Sequence, residues 1–192
     1  YRLKLPQEDW RVIDNPADFP RQTKVDDVEE PYITASIITH SDYIGNLMKL
    51  TMERRGIYIS TEYIDQQRVS LKYEIPLAEV VFDFYDRVKT VSRGYASLDY
   101  ELTDYRSGKL ARLDILLNGD PIDALSMIVH QDRAFELGNK MTIKLKELIP
   151  RQQFDVAVQA ALGTKIIART TVKALRKNVT AKCYGGDITR KR

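Results

Sequence analysis

The sequence predicts an α+β protein: a ferredoxin-like βαββαβ domain over residues 31–105, then a second small α+β domain with a mostly antiparallel sheet over residues 106–192. Three observations carry this. Between residues 31 and 105, stretches of apolar–polar alternation are interleaved with two helical stripes, the order of a split βαβ unit. After residue 105 the rhythm changes to strand pairs around one long amphipathic stretch. The charge divides at the same place: residues 31–105 carry eight basic and eleven acidic side chains, and residues 106–192 carry seventeen and eight.

Residues 1–30 read as a lead-in, the end of a preceding domain plus a linker. Tyr1–Leu5 and Trp10–Ile13 alternate and can pair as a hairpin, with Trp10 expected to pack. Pro6, Pro16, Pro20 and the acidic stretch Asp26–Glu30 interrupt anything longer. Tyr32–His40 then alternates as a strand, with Ile33, Ala35 and Ile37 on one face. Ser41 is a helix N-cap candidate ahead of the stripe Tyr43, Ile44, Leu47, Met48 and Leu50, which stops at Gly56. Ile57–Ile64 and Arg68–Ile75 are strands joined by Asp65-Gln66-Gln67. Pro76 suits the first position of a helix, where its missing N–H costs nothing. Leu77, Val80, Val81, Phe84 and Val88 give that helix its stripe, Gly94 closes it, and Tyr95–Leu102 alternates as the last strand.

In the second domain Lys109–Leu117 is strand-like, and Asn118-Gly119-Asp120-Pro121 is a turn signal leading into a strand over Ile122–Val129. A helix is expected from about Asp132 to Leu148, with Ala134, Met141, Leu145 and Leu148 inward and Lys140 and Lys144 outward; Glu136 is placed to pair with Lys140. Phe154–Ala161 and Ile166–Ala168 read as strands around Gly163. A last short helix over Thr171–Asn178 turns Val172, Leu175 and Val179 inward and Lys173, Arg176 and Lys177 outward.

Composition excludes several classes of function. At 43% apolar residues the chain is neither disordered nor fibrous. It holds no apolar run long enough to span a membrane. A single cysteine, Cys183, makes neither an internal disulfide nor a two-cysteine metal knuckle, which suits a reducing compartment. The two histidines, His40 and His130, each end a predicted strand and read as structural; no catalytic residue, metal ligand or cofactor loop stands out. The predicted third strand shows Ser70, Lys72 and Glu74 on its polar face, and the fourth shows Ser97, Asp99 and Glu101. Carboxylates there repel phosphates, so base stacking on this sheet is not expected. Most of the eleven tyrosines fall in strands and read as packing residues.

The basic charge concentrates at the C-terminal end, where residues 165–192 hold nine basic side chains and one acidic. This predicts contact with a polyanion through Arg169, Lys173, Arg176, Lys177, Lys182, Arg190 and Lys191, with Tyr184, Gly185 and Gly186 allowing close backbone approach.

These residues also carry a resemblance. LIPRQQFDVAVQAALGTKIIARTTVKALRKNVTAKCYGGDITRKR (Leu148–Arg192), PLAEVVFDFYDRVKTVSRGYASLDYEL (Pro76–Leu102) and RLDILLNGDPIDALSMIVH (Arg112–His130) closely resemble the C-terminal region of the LepA family, translational GTPases also called elongation factor 4. The middle stretch is similar to the fifth domain of elongation factor G as well. Gln131 stands where the family usually has a basic residue, and Thr180 where it has Leu.

The resemblance implies a C-terminal fragment of a ribosome-dependent GTPase acting in back-translocation and in the recovery of stalled ribosomes. It implies no cofactor or enzyme activity in this fragment, since GTP and Mg belong to the parent's nucleotide domain. Residues 31–105 would lie on ribosomal RNA near the GTPase-associated centre, and residues 106–192, truncated relative to the family, would reach along tRNA. A cytoplasmic monomer is implied, with peripheral association at the inner membrane face. Two alternatives remain open: a structural spacer positioning the GTPase domain through protein contacts, and a thiol hydrolase using Cys183 with His40 or His130.

Overall fold

A fourteen-residue strand, β3 (Asp27–His40), is the spine of the first unit. The computed structural model describes residues 1–21 and 25–175. These fall into two units, residues 1–14 with 25–108 and residues 15–21 with 109–175.

In the first unit the chain runs β1 (Arg2–Lys4), β2 (Trp10–Val12), β3, α1 (Ile44–Glu53), β4 (Ile57–Tyr63), β5 (Arg68–Pro76), α2 (Phe84–Val91) and β6 (Ser97–Ser107). Residues Ile33–Ile38 of β3 pair with β5 on one edge and β6 on the other, and β4 pairs with β5, all antiparallel. The order β6-β3-β5-β4 with two helical crossovers is the expected ferredoxin-like arrangement. Alternation places Ile33, Ala35, Ile37, Leu71, Tyr73 and Ile75 on the face that α1 and α2 cover with Leu47, Leu50, Phe84 and Val88. Residues 1–14, expected to stand apart as a lead-in, instead extend this sheet: β1 pairs with β2 and with Asp27–Glu29 of β3. Trp10, expected to pack, is 43% exposed. Among the described tyrosines only Tyr73 is fully buried.

The second helix is much shorter than its stripe suggests. Pro76 closes β5, Leu77–Glu79 is a 3-10 turn, and α2 starts only at Phe84. The cause is Glu79, whose carboxylate turns inward to accept from Arg55 Nε at 3.1 Å. The tighter turn keeps Val80 in the core and leaves Val81 and Phe82 exposed. Arg55 also donates two parallel bonds to Glu30, at 2.6 and 3.0 Å. It does so from a left-handed backbone, φ 59°, just past the end of α1. Gly56 N–H donates to Thr51 O at 2.8 Å and Arg55 N–H to Met52 O at 3.2 Å, a Schellman closure. A Cβ on Gly56 would stand 2.7 Å from Thr51 O, so glycine is needed there for close approach.

The second unit runs β7 (Leu110–Leu117), β8 (Asp120–Pro121), β9 (Met127–His130), α3 (Gln131–Leu148), β10 (Val156–Leu162) and β11 (Lys165–Val172). β7 is central, with β10 and then β11 on one edge and β8 and β9 on the other, again antiparallel. The expected strand over Ile122–Val129 is broken by a 3-10 turn at Asp123–Leu125. α3 covers one face with Ala134, Gly138 and Thr142 buried, while Leu148, expected inward, is 67% exposed at its end. A Cβ at Gly138 would lie 3.0 Å from Ala160 Cβ and 3.2 Å from Ile167 Cδ1, so glycine sets how closely helix and sheet approach.

The opposite face of β7 carries Arg112 and Asp114, both buried. Arg112 donates to Asp114 at 2.9 Å, to Ala17 O at 2.7 Å, to Phe19 O at 2.9 Å and to Asp123 at 3.2 Å. That arginine ties residues 15–21 to the second unit.

The expected helix over Thr171–Asn178 does not begin where the stripe places it. Thr171 and Val172 belong to β11, and Lys173–Leu175 follow without helical structure. The run Thr170-Thr171-Val172 is β-branched and favours strand. Asp155 then accepts from Ala174 N–H at 2.7 Å, and Leu175 N–H donates to Gln152 O at 2.8 Å. Residues 176–178 lie outside the described residues.

Two substitutions test this packing. Arg55→Gly relieves the left-handed backbone but strands two buried carboxylates, and should cost about 3 kcal/mol in urea denaturation. Gly138→Val should cost about 2 kcal/mol, because Ala160 can yield only by moving backbone.

Candidate nucleic-acid interface

β11 lies at the edge of the second sheet, and its register decides which side chains face outward. Ala168, Thr170 and Val172 pair with Ala160, Val158 and Val156, three buried residues beneath α3. Arg169 and Thr171 therefore point to the other face, and Lys173 continues the alternation. Arg169 and Lys173 are about 13 Å apart along an extended chain.

Of the expected contact residues, Arg169 and Lys173 are described. Arg169 is exposed and makes no ion pair among the described residues. Lys173 is exposed but bonded to Asp155 at 3.2 Å. The shared helical face proposed for Lys173, Arg176 and Lys177 is not present at Lys173. Arg176, Lys177, Lys182, Tyr184, Gly185, Gly186, Arg190 and Lys191 lie outside the described residues, as does Cys183.

Pairing elsewhere in the second unit singles out further cations. Arg112 is held by Asp114 and Asp123, and Arg133 and Lys140 by Glu136. Lys109, Lys144, Lys146, Arg151 and Lys165 are exposed and, among the described residues, join Arg169 in having no carboxylate partner. Lys144 was expected to point outward. Lys165 belongs to the basic end read from the sequence but not to the expected contacts; Lys109, Lys146 and Arg151 gave no sequence signal, because the positions of the neutralising carboxylates depend on tertiary pairing.

The uncovered face of the first sheet is unsuited to bases. Its rows, read from the register, are Glu101–Thr34–Glu74–Ile57, then Asp99–Ser36–Lys72–Ser60, then Ser97–Ile38–Ser70–Glu62. Carboxylates outnumber cations there. The aromatic ring of Tyr32 already carries the Arg106 guanidinium 4.5 Å above it, and Arg106 is anchored to Glu74 at 2.6 Å. The Arg106 guanidinium beside Asp104 in turn holds that carboxyl below its ordinary range.

Both histidines are helix caps. His40 Nδ1 accepts from Asp42 N–H and His130 Nδ1 from Asp132 N–H, each at 3.2 Å. Each therefore satisfies an orphan donor at a helix start. No group of acidic, histidine or cysteine side chains suited to a metal ion occurs among the described residues. No helix among them is long and apolar enough to cross a membrane.

Two family models match the chain. Residues 27–116 match the elongation factor G C-terminus, and residues 117–192 match the C-terminus of the GTP-binding protein LepA. Among curated proteins, elongation factor 4 of Chlorobium phaeobacteroides is 56% identical over 192 residues, and that of Chlorobium limicola likewise 56%. Elongation factor 4 of Flavobacterium johnsoniae is 59% identical over the same 192 residues. Each alignment covers 100% of this chain and 32% of the relative, so the chain spans about a third of the length of the curated relatives it matches.

Asp155 organises the chain just after β11, accepting from Lys173 and Ala174. Asp155→Ala should cost about 1 kcal/mol, in line with loss of a capping carboxylate. It should also speed amide exchange at Ala174, measured by hydrogen exchange.

Proposed function

Because the chain belongs to the elongation factor 4 (LepA) family, we propose that it is the ribosome- and tRNA-binding C-terminal module of a translational GTPase. The single observation that carries this reading is the conjunction of that family match with the basic end, nine basic side chains to one acidic over residues 165–192. Phosphate is the partner such a surface fits. Lysine and arginine there release counterions and orient the module, and carry no base sequence information.

In this reading Arg169, Lys173, Arg176, Lys177, Lys182, Arg190 and Lys191 meet RNA phosphates, and Tyr184, Gly185 and Gly186 allow close backbone approach. Lys173 contributes less than Arg169, because Asp155 neutralises it. The first unit serves as the ribosome-facing platform, reading neither bases nor sequence on its acidic sheet. GTP and its Mg ion we assign to another part of such proteins. Action in back-translocation and recovery of stalled ribosomes completes the proposal.

Co-sedimentation with ribosomes across a salt series tests it. Log affinity should fall linearly with log salt. Arg169→Glu should weaken binding at every salt concentration and reduce the slope by roughly one. Lys173→Glu combined with Arg176→Glu and Lys177→Glu should weaken it further. A flat salt dependence, or indifference to both variants, favours instead a spacer acting through protein contacts.

A further inference from the structure

Asn118 and Gly119 are the central residues of the turn from β7 to β8, and both have positive φ, 50° and 87°. A two-residue I′ turn requires this, and Asn-Gly supplies it with the least strain. Asn118 also has a second role. Its N–H donates to Ala157 O at 2.9 Å, and its Oδ1 accepts from Ala157 N–H at 2.8 Å. One residue thus makes both bonds of a ladder rung with β10, one through its backbone and one through its side chain. The rung extends the β7–β10 pairing one step beyond Leu117, which faces Val158.

Asn-Gly is also chemically labile, because glycine leaves its amide nitrogen unshielded. We propose that Asn118 is a self-modification site gated by its rung with Ala157, deamidating when the rung opens and stalling while it is closed. In the reaction the Gly119 nitrogen attacks Asn118 Cγ. The N–Cγ bond forms, the Cγ–Nδ2 bond breaks, and Nδ2 leaves as ammonia with the proton lost from the Gly119 nitrogen. Water then opens the cyclic imide at either carbonyl, leaving an ordinary aspartyl residue at position 118 or its isoaspartyl isomer. One water is consumed, one ammonia is released, and nothing is oxidised or reduced. In the folded chain Cγ must first swing from Ala157 toward the Gly119 nitrogen, which surrenders the rung and the turn dihedrals together.

The two products have different consequences. The aspartyl product keeps an oxygen for Ala157 N–H. The isoaspartyl form adds a methylene to the main chain inside a turn whose flanks, Leu117 and Asp120, are directly paired, so rung and hairpin cannot both persist. β10 carries β11, and β11 carries Arg169, so the isoaspartyl product loosens the strand pair that presents the basic face.

The test compares the whole 192-residue chain, folded and in concentrated urea, at the same mildly alkaline pH. Peptide mass spectrometry follows the gain of about 1 Da at Asn118, and an isoaspartyl methyltransferase assay follows the isomer. Modification should be about tenfold slower or more in the folded chain, equivalent to ~1.4 kcal/mol or more of opening free energy. Amide exchange at Ala157 should give a matching opening, moving in parallel across a mild urea series. Equal rates in the two states overturn the proposal, as does product accumulating in folded chain while the Ala157 amide stays protected. Asn118→Asp should keep the melting temperature within about 2 °C. A loss as large as that of Asn118→Ala overturns the role given to the side-chain oxygen.

Discussion

The first unit depends on one arginine held between two buried carboxylates. Glu30 lies on the central strand and Glu79 on the turn that follows β5, while Arg55 stands just beyond α1. Neither carboxylate is tolerable alone in that environment, since an unpaired buried charge costs several kcal/mol. Arg55 meets both only by taking a left-handed backbone, an arrangement disfavoured by roughly 1–2 kcal/mol for a residue with a Cβ. The strain is tolerated because the guanidinium offers a planar fork that lysine cannot reproduce. The consequences spread outward. The position of Glu79 imposes a 3-10 turn, the turn shortens α2, and the shortened helix exposes Val81 and Phe82. The Tyr1 phenol, half-buried and beside Glu30, is pushed up to about 12 and stays neutral.

The second unit uses the same device with a different purpose. Arg112 is saturated by two carboxylates and two backbone carbonyls, so its charge fixes a segment distant in sequence and is withdrawn from the surface. Burial of such a pair gives little net stability against apolar residues of the same size. What it does give is direction. Asp114 and Asp123 fix the guanidinium, and its bonds to Ala17 O and Phe19 O, at 2.7 and 2.9 Å, hold one conformation of residues 17–19 against the sheet.

Periodicity made the ferredoxin-like order legible, because β3, β5 and the two helices each bury one face and write it into every second or every third and fourth residue. It failed where a polar interaction competed with an apolar stripe. Val81 fits the stripe of a helix from Pro76, yet the inward carboxylate of Glu79 decides the backbone there. Val172 and Leu175 also fit a helix, yet Asp155, eighteen residues before Lys173, captures the chain after β11 in another conformation. Such pairs depend on sheet register, and register is not written locally. Of the candidate site, Arg169 was legible as a basic residue and its outward face was not, since that follows from its pairing with Gln159.

The charge distribution changes meaning once pairing is known. Ion pairs leave the net charge untouched but decide where an approaching polyanion finds uncompensated charge. In the second unit Asp114, Asp123, Glu136 and Asp155 are each engaged by a cation of the same unit. Their attraction is satisfied internally, and short-range fields of paired groups are largely cancelled within a Debye length of ~8–10 Å. Among the described residues of that unit, the exposed cations without a carboxylate partner are Lys109, Lys144, Lys146, Arg151, Lys165 and Arg169, just ahead of β7, on the end of α3, in the segment after it and on the edge strand β11. The first unit does the opposite: its uncovered sheet keeps Glu62, Asp99 and Glu101 without a cation partner among the described residues. Unpaired charge of the two signs is thus separated by unit. The open face of the first sheet is therefore rich in carboxylates, while the second unit leaves lysines and arginines outward.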